Sequence, residues 1–488
     1  MSLRRALLSL GLAALAPLAQ AAGPAPCRVD GLPHEVLCGS VERALDPARA
    51  DGPRFQLHYV VVPALARRKL PDPVFLLAGG PGQSAISLAA QVMPVFARLN
   101  NRRDIVFVDQ RGTGRSAPLD CDEPRDAALA DAADPAKQLQ RLAQCRDRLL
   151  RLPYVKREAD LGLFTTTLAM QDLDAVRQAL GAERINLVGA SYGTRAALEY
   201  QRQFPQALRR SVLDGVAPPD MVLPVSAGTD AQAALDALFA ACAAEPACTR
   251  QWPALRAQWD TLLASLPRVV TVADPLGGKP ESLTLSRDLL LGAVRAPLYV
   301  PTLAAGLPAA IAAAAEGRFE PLAALAGVLS RRGGPRLYTG MHFAVICAED
   351  APRIAAAAAA SAPARDFGTG LAPLYEQACA GWPRGAVPEA FYRIGTAATP
   401  VLLLAGGIDP ATPPRHAKRV ADALGAKARL VPVPNGGHGL LGSGCVPDLL
   451  YRFIDAPDDG QALGLDAACI TGIPRPPAFV PAAPEAAR

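Results

Sequence analysis

The chain has 488 residues, half of them apolar and 19% charged, with a net charge of +5. That is enough apolar sequence for one large or two ordinary globular domains. No Lys/Arg cluster of the nucleic-acid-binding kind occurs; Arg102-Arg103 and Arg331-Arg332 are only pairs, which argues against nucleic acid or a strongly anionic membrane surface as a partner.

In chain order, residues 1–21 read as a secretory signal. Arg4 and Arg5 make a positive start, Ala6 to Leu18 an apolar stretch, and Ala19-Gln20-Ala21 a small-x-small cleavage site. The stretch is short for a bilayer span. A retained anchor helix and a twin-arginine route stay open as alternatives. No later segment reaches transmembrane length without a charge or a proline. The mature protein is therefore expected in the periplasm or outside the cell, with no stable membrane insertion. Ten cysteines agree with export. Their number is even and no C-x-x-C occurs, which argues against zinc and thioredoxin-type chemistry. Short loops close at the least entropic cost, so neighbour pairing is expected: 27–38, 121–145, 242–248, 347–379 and 445–469.

Residues 22 to 50 read as loop-rich. Phe55 to Val62, Val74 to Leu77 and Ile105 to Val108 read as strands. The last two end in Gly79-Gly80-Pro81-Gly82 and Asp109-Gln110-Arg111-Gly112. Continuous apolar runs separated by helices indicate strands buried on both faces of a parallel sheet. Charged helical sequence fills 121 to 152, and Thr165 to Leu180 is an amphipathic helix stopped by Gly181. Arg184 to Val188 is a further strand, Thr194 to Phe204 a helix, and Ser211 to Asp214 another strand. From about 221 to 395 strand-like runs thin out and Ala/Leu-rich helices dominate, at 228–243, 303–315 and 353–360. That stretch is expected to be a helical lid inserted between two sheet strands. Strands resume at 400–404 and 428–433, a last helix covers 446–455, and the tail after 472 is proline-rich. The organisation expected is a first core segment at 22–220, the lid at 221–395 and a second core segment at 396–488.

Between the strand ending at Val188 and the helix from Thr194 lies Gly189-Ala190-Ser191-Tyr192-Gly193. It fits G-x-S-x-G, a tight strand-to-helix turn that lifts a serine hydroxyl out of the fold. Such a hydroxyl needs a base to take its proton. There are five histidines: His34, His58, His342, His416 and His438. When the nucleophile sits on this turn, the acid and then the histidine follow it in the chain. His34 and His58 precede the serine, His342 falls in the lid, and His416 falls in a helix pointing away from the strand ends. His438 occupies a glycine-flanked loop after the last strand, at the carboxyl edge where open sheets bind ligands. Asp409, in Gly406-Gly407-Ile408-Asp409-Pro410, follows a strand and can hold the imidazole in the productive tautomer. On its own it would read as an ordinary turn aspartate. The oxyanion donors expected are the amides of Tyr192 and Gly80. Gly112-Thr113-Gly114-Arg115-Ser116-Ala117 only partly imitates a dinucleotide fingerprint; Pro118 follows, and it reads as a bracing turn.

Five segments together resemble the proline iminopeptidase and tripeptidyl aminopeptidase group of α/β-hydrolases, with a TAP-like C-terminal region. They are Ala78-Gly79-Gly80-Pro81-Gly82-Gln83-Ser84, Asp109-Gln110-Arg111-Gly112-Thr113-Gly114-Arg115-Ser116, Gly189-Ala190-Ser191-Tyr192-Gly193-Thr194, Asp409-Pro410-Ala411-Thr412-Pro413 and Gly437-His438-Gly439. Position 78 is Ala, where the family's motif usually begins with histidine. The resemblance implies an α/β-hydrolase fold with a mostly parallel sheet. It also implies a triad of Ser191, Asp409 and His438, and release of residues or short peptides from free N-termini through an acyl-enzyme. It further implies that acidic lid residues bind the substrate ammonium, which points to Glu349 and Asp350. No metal or cofactor is implied. The substrate expected is a peptide or a small ester or amide. A carboxylesterase with the same triad, and a non-catalytic binding protein on the same scaffold, are the alternatives.

Overall fold

Apolar, β-branched runs build the centre of the molecule. In the computed structural model, residues 23–121, 129–273, 278–328 and 336–481 are described; the signal segment at 1–21 and Arg331-Arg332 lie outside them. Eleven strands occur among these residues. In chain order they are β1 Ala25–Cys27, β2 Val36–Ala44, β3 Arg54–Val62, β4 Val74–Leu77, β5 Ile105–Val108, β6 Ile185–Ala190, β7 Leu208–Asp214, β8 Arg268–Ala273, β9 Pro280–Leu285, β10 Val401–Gly406 and β11 Ala428–Val433. Nine of them form one sheet in the order β1-β2-β3-β5-β4-β6-β7-β10-β11. From β5 to β11 all neighbours are parallel. This is the α/β-hydrolase fold.

The parallel strands are buried on both faces because helices cover each side. Along β4 the side chains alternate: Phe75 and Leu77 enter one apolar cluster, Val74 and Leu76 the other. The helices Thr166–Ala179 and Tyr192–Gln203 lie on the first face, and Ala85–Asn100 and Val446–Asp455 on the second. Ser84 caps the helix Ala85–Asn100, its Oγ accepting the Ser87 amide at 3.0 Å.

Three features depart from the sequence reading. Residues 22–50 are not mainly loop: β2 is nine residues long and pairs antiparallel with β3 from Leu37↔Val61 to Ala44↔Arg54. Gly39, Ser40, Glu42 and Arg43 hide it, because a half-exposed strand is held by pairing more than by burial. Strand β3 is antiparallel to β5 as well, so the sheet is mixed at this edge. Finally, the segment between β7 and β10 contains an antiparallel hairpin, β8–β9, whose Val270, Val272 and Leu285 join a separate apolar cluster around Trp259, Leu290 and Ile311.

That segment is otherwise helical, with Leu223–Ala244, Leu255–Ala264, Arg287–Leu298, Leu307–Ala315, Thr339–Glu349, Ile354–Ala360 and Ala372–Ala380 as its main helices. All ten cysteines are paired with their sequence neighbours: Cys27–Cys38, Cys121–Cys145, Cys242–Cys248, Cys347–Cys379 and Cys445–Cys469. Among the described residues no helix is long and apolar enough to cross a membrane.

Candidate active site

Ser191 stands between β6 and the helix Tyr192–Gln203 with φ 55° and ψ −123°. A β-carbon at Gly189 would lie 2.4 Å from the Gly193 carbonyl oxygen, and one at Gly193 would lie 2.1 Å from that of Leu77. Glycine at both positions is what lets strand and helix close to this angle. The Ser191 amide donates to the Asp214 carbonyl at 2.8 Å; its own carbonyl accepts from the Thr194 amide at 2.9 Å and the Thr194 hydroxyl at 2.6 Å. A backbone in this sparsely populated region persists because its surroundings hold it.

The strand register brings the other two expected residues to this point. Ala190 sits opposite Asp214 in the β6–β7 ladder, so Ser191 is level with Gly215. The His438 imidazole packs directly on Gly215, where a β-carbon would lie 3.3 Å from Cε1 and 3.4 Å from Nδ1. Asp409 Oδ2 lies 2.8 Å from His438 Nδ1. That carboxylate is 1% exposed. Its Oδ1 accepts the amides of Ala411 at 2.7 Å and Thr412 at 2.9 Å, and its Oδ2 accepts the Thr412 hydroxyl at 2.7 Å. Burial alone would push Asp409 upward. The charge of the facing imidazole, its hydrogen bond and the two amides hold the carboxyl below the ordinary range. Burial pulls His438 down, but Asp409 and then Asp214 outweigh it and leave the imidazole raised.

The glycine loop after β4 passes against the serine: a β-carbon at Gly79 would sit 3.2 Å from Ser191 Cβ. Gly80 has φ 109°, which favours glycine. Tyr192 is the first residue of its helix, where an amide has no acceptor within the helix. The loop is clamped from the insertion. Tyr338 donates its amide to the Gly82 carbonyl at 2.8 Å, Gln83 bridges to Leu337, and His342 Nδ1 lies 3.2 Å from the Pro81 carbonyl oxygen while its Nε2 lies 2.7 Å from the Tyr375 hydroxyl. Burial keeps His342 below its ordinary value, as befits a neutral ring donating to a carbonyl. The Asp109–Ser116 turn braces the same edge. Asp109 Oδ1 accepts the Ser84 hydroxyl at 2.6 Å, and Arg111 holds Asp172 through Nε at 2.7 Å and Nη2 at 3.0 Å.

Glu349 and Asp350 are where the structure corrects the sequence. Both were expected to face a substrate ammonium, and both are fully buried. Arg195 Nη1 lies 3.0 Å from Asp350 Oδ2 and 3.4 Å from Glu349 Oε2, and the Thr166 amide donates to Glu349 Oε1 at 2.8 Å. The carboxylates are committed to an internal ion cluster, because Arg195, itself buried on the elbow helix, has nowhere else to be neutralised. Two carboxyls meet one guanidinium, and burial lifts Glu349 to about 7.

Asp214 was not singled out from sequence, although Leu213-Asp214-Gly215 at a strand end was a usable signal. It is 1% exposed, its Oδ2 accepts the amides of Leu440 at 2.7 Å and Leu441 at 3.0 Å, and its Oδ1 has no partner. Burial raises it to about 6. It therefore ties the backbone just after His438 to the strand beside Ser191. Tyr299 was also missed: its ring stands edge-on to His438 at 5.1 Å between centroids, and its carbonyl accepts the His438 amide at 2.9 Å. His416, set aside as a base, lies 3.0 Å from Asp230 of the helix Leu223–Ala244 and docks the insertion instead. Among the described residues no group of three or more His, Cys, Asp or Glu is arranged to hold a metal ion.

A serine on a strained elbow, and at the same carboxyl edge of a parallel sheet an aspartate-backed histidine packed on Gly215, are features of serine hydrolases built on the α/β-hydrolase fold. The known proteins that this chain is similar to agree. Residues 72–241 match the model of the alpha/beta hydrolase fold, and residues 363–463 that of the TAP-like protein. The chain is 27% identical to serine protease Hip1 of Mycobacterium tuberculosis over 465 residues, 88% of each chain. It is 32% identical to tripeptidyl aminopeptidase of Streptomyces lividans over 203 residues, 40% of this chain and 38% of that one. To the putative hydrolase YuaR of Escherichia coli it is 28% identical over 190 residues, 37% of this chain and 36% of the other. The chain is thus an α/β-hydrolase by fold, and its residues 363–463 are similar to the TAP-like proteins.

Proposed function

We propose that this serine hydrolase is an exported aminopeptidase that releases residues or short peptides from free N-termini, with Ser191, His438 and Asp409 as its triad. The observation that carries the triad is His438 lying on Gly215, level with Ser191, with Asp409 at 2.8 Å behind it. In this reading Ser191 Oγ attacks the scissile carbonyl carbon and its proton passes to His438 Nε2. The carbonyl oxygen becomes an oxyanion held by the amides of Tyr192 and Gly80. His438 then gives the proton to the leaving amine as the C–N bond breaks. Water, deprotonated by the same imidazole, attacks the acyl-enzyme and releases the acid. The segment between β7 and β10 serves as a lid over this site.

The similarity to a tripeptidyl aminopeptidase supports the choice of substrate. The five disulfides support an exported protein. A second reading, a carboxylesterase with the same triad, is favoured by the burial of Glu349 and Asp350, which commits the acidic pair expected at an N-terminus to Arg195 instead.

Aminoacyl-naphthylamides with free and acetylated N-termini, set beside p-nitrophenyl esters, separate the two. Free amides should turn over at least tenfold faster than blocked ones; equal rates would leave the esterase. A fluorophosphonate should label wild type and not Ser191→Ala, and absence of labelling in wild type would remove the triad.

A further inference from the structure

The loop Gly79-Gly80-Pro81-Gly82 has little in itself to fix its backbone. Gly80 and Gly82 take φ 109° and 103°, a region open to glycine, and the turn is closed by a long bond, the Gln83 amide donating to the Gly79 carbonyl at 3.3 Å. An oxyanion donor must stand in place before the charge develops, because its value lies in not having to reorganise. The insertion meets this loop residue by residue. Leu337 Cδ1 would lie 3.1 Å from a β-carbon at Gly80, and Leu337 bridges to Gln83. The Tyr338 amide donates to the Gly82 carbonyl at 2.8 Å, and His342 Nδ1 lies 3.2 Å from the Pro81 carbonyl oxygen. A carbonyl oxygen only accepts, so the His342 proton sits on Nδ1. Burial keeps the ring neutral, which leaves Nε2 to accept the Tyr375 hydroxyl at 2.7 Å. Tyr375 thereby selects the tautomer that grips Pro81. The two residues stand on the helices Thr339–Glu349 and Ala372–Ala380, which Cys347–Cys379 ties together.

We propose that His342 is a positioning residue for the oxyanion hole: from the insertion it holds the Pro81 carbonyl, and through it the neighbouring Gly80 amide, in the orientation that receives the substrate oxygen, with Tyr375 setting its tautomer. The role is exerted through the loop and needs no contact with substrate. It bears on the step in which Ser191 Oγ bonds to the carbonyl carbon, the hydroxyl proton passes to His438 and the π electrons of the carbonyl move onto its oxygen. The hole is then an assembly of two parts of the chain: Tyr192 offers its donor from the elbow helix, while the Gly80 donor is set by the insertion. The proposal deepens the reaction of the preceding section and rests on its Ser191 nucleophile and Gly80 donor. It holds for an ester as for a peptide, since both pass through the same oxyanion.

The test uses the mature enzyme, p-nitrophenyl esters as substrates, and an alkyl trifluoromethyl ketone beside its matching alcohol as inhibitors. Ser191 adds to the ketone and leaves an oxyanion in the hole; the alcohol measures binding without one. His342→Phe keeps a ring and loses the donor. Its kcat should fall by about 10- to 100-fold with KM within about twofold of wild type, the scale of a donor displaced by up to about an ångström. Ketone inhibition should weaken by the same factor while alcohol inhibition stays put. His342→Asn, whose side-chain amide offers a donor near the place of Nδ1, should recover most of the loss. Tyr375→Phe, which frees the tautomer, should fall between wild type and His342→Phe. A folded His342→Phe with wild-type kcat and ketone inhibition overturns the proposal. So does a loss that moves KM and both inhibitors alike, the mark of a residue that only packs. Should His342→Phe fail to fold, Tyr375→Phe decides: ketone inhibition weakened by about threefold or more with the alcohol unmoved upholds the role, and unchanged inhibition overturns it. A wild type that fluorophosphonate labels but that binds ketone no tighter than alcohol would remove the Gly80 donor and the proposal with it, whereas no labelling would remove the triad itself.

Discussion

Replacing Asp214 by Asn tests whether a buried carboxylate that touches no substrate sets the working pH of His438. Asn can offer its carbonyl oxygen to the same Leu440 and Leu441 amides, so the loop keeps its attachment; its NH2 takes the place of the partnerless Oδ1, a cost that does not vary with pH, so the pH-dependent difference reports the lost charge. Burial, the dominant cause, lifts Asp214 to about 6, against about 3.9 in an unfolded chain. The proton is therefore bound more tightly by the folded state. Its stabilising effect is full below about pH 4 and is lost as pH rises through about 6. Two pKa units at about 1.4 kcal/mol each make the whole difference about 3 kcal/mol, of which roughly 2 kcal/mol falls between pH 4.5 and 7.5. Urea unfolding of both proteins, disulfides intact, should show the Asn variant gaining about 2 kcal/mol relative to wild type across that interval. Activity should respond as well. Asp214 helps to raise His438, so its removal should shift the acid limb of kcat/KM to lower pH. Parallel stability curves together with an unmoved acid limb would refute the reasoning.

Asp409→Asn should keep the fold but present the wrong tautomer to His438, lowering kcat by about 10³- to 10⁴-fold, measured on p-nitrophenyl esters against unchanged circular dichroism. Arg195→Met strands Glu349 and Asp350 without a counter-charge; a loss of about 3–5 kcal/mol is expected by denaturant titration at pH 8, and less at pH 5.5, where Glu349, lifted to about 7, is protonated. Gly193→Ala would drive a β-carbon against the Leu77 carbonyl, so the elbow must open; soluble, folded protein that no longer reacts with fluorophosphonate is the mildest outcome expected.

The parallel half of the sheet was legible because each strand is a short continuous apolar run between helices, a pattern that burial on both faces imposes. The elbow was legible as a glycine-flanked turn between an apolar strand and a helix, and Asp409 and His438 lie in loops after β10 and β11, where a triad of this chain order is expected. Strand β2 was not, since one face meets solvent and its polar residues resemble loop; β8 and β9 were hidden by the helical composition around them. Glu349 shows a different limit. A carboxylate pair in the insertion could serve a ligand or a buried cation, and only the position of Arg195, 154 residues away in the chain, decides. Asp214 gains its interest from neighbours brought by tertiary packing, which no local pattern announces.

The placing of the disulfides has a mechanical consequence. Cys242–Cys248 and Cys347–Cys379 lie wholly within the segment between β7 and β10; the other three lie wholly outside it. No disulfide crosses between the two parts; beyond the chain passages after Asp214 and before Val401 they are joined by the Tyr338–Gly82 hydrogen bond, the His416–Asp230 contact and the buried Arg195–Glu349–Asp350 cluster. The sulfur bridges therefore harden each part separately, and the union of the two is left to apolar packing, hydrogen bonds and buried ion pairs.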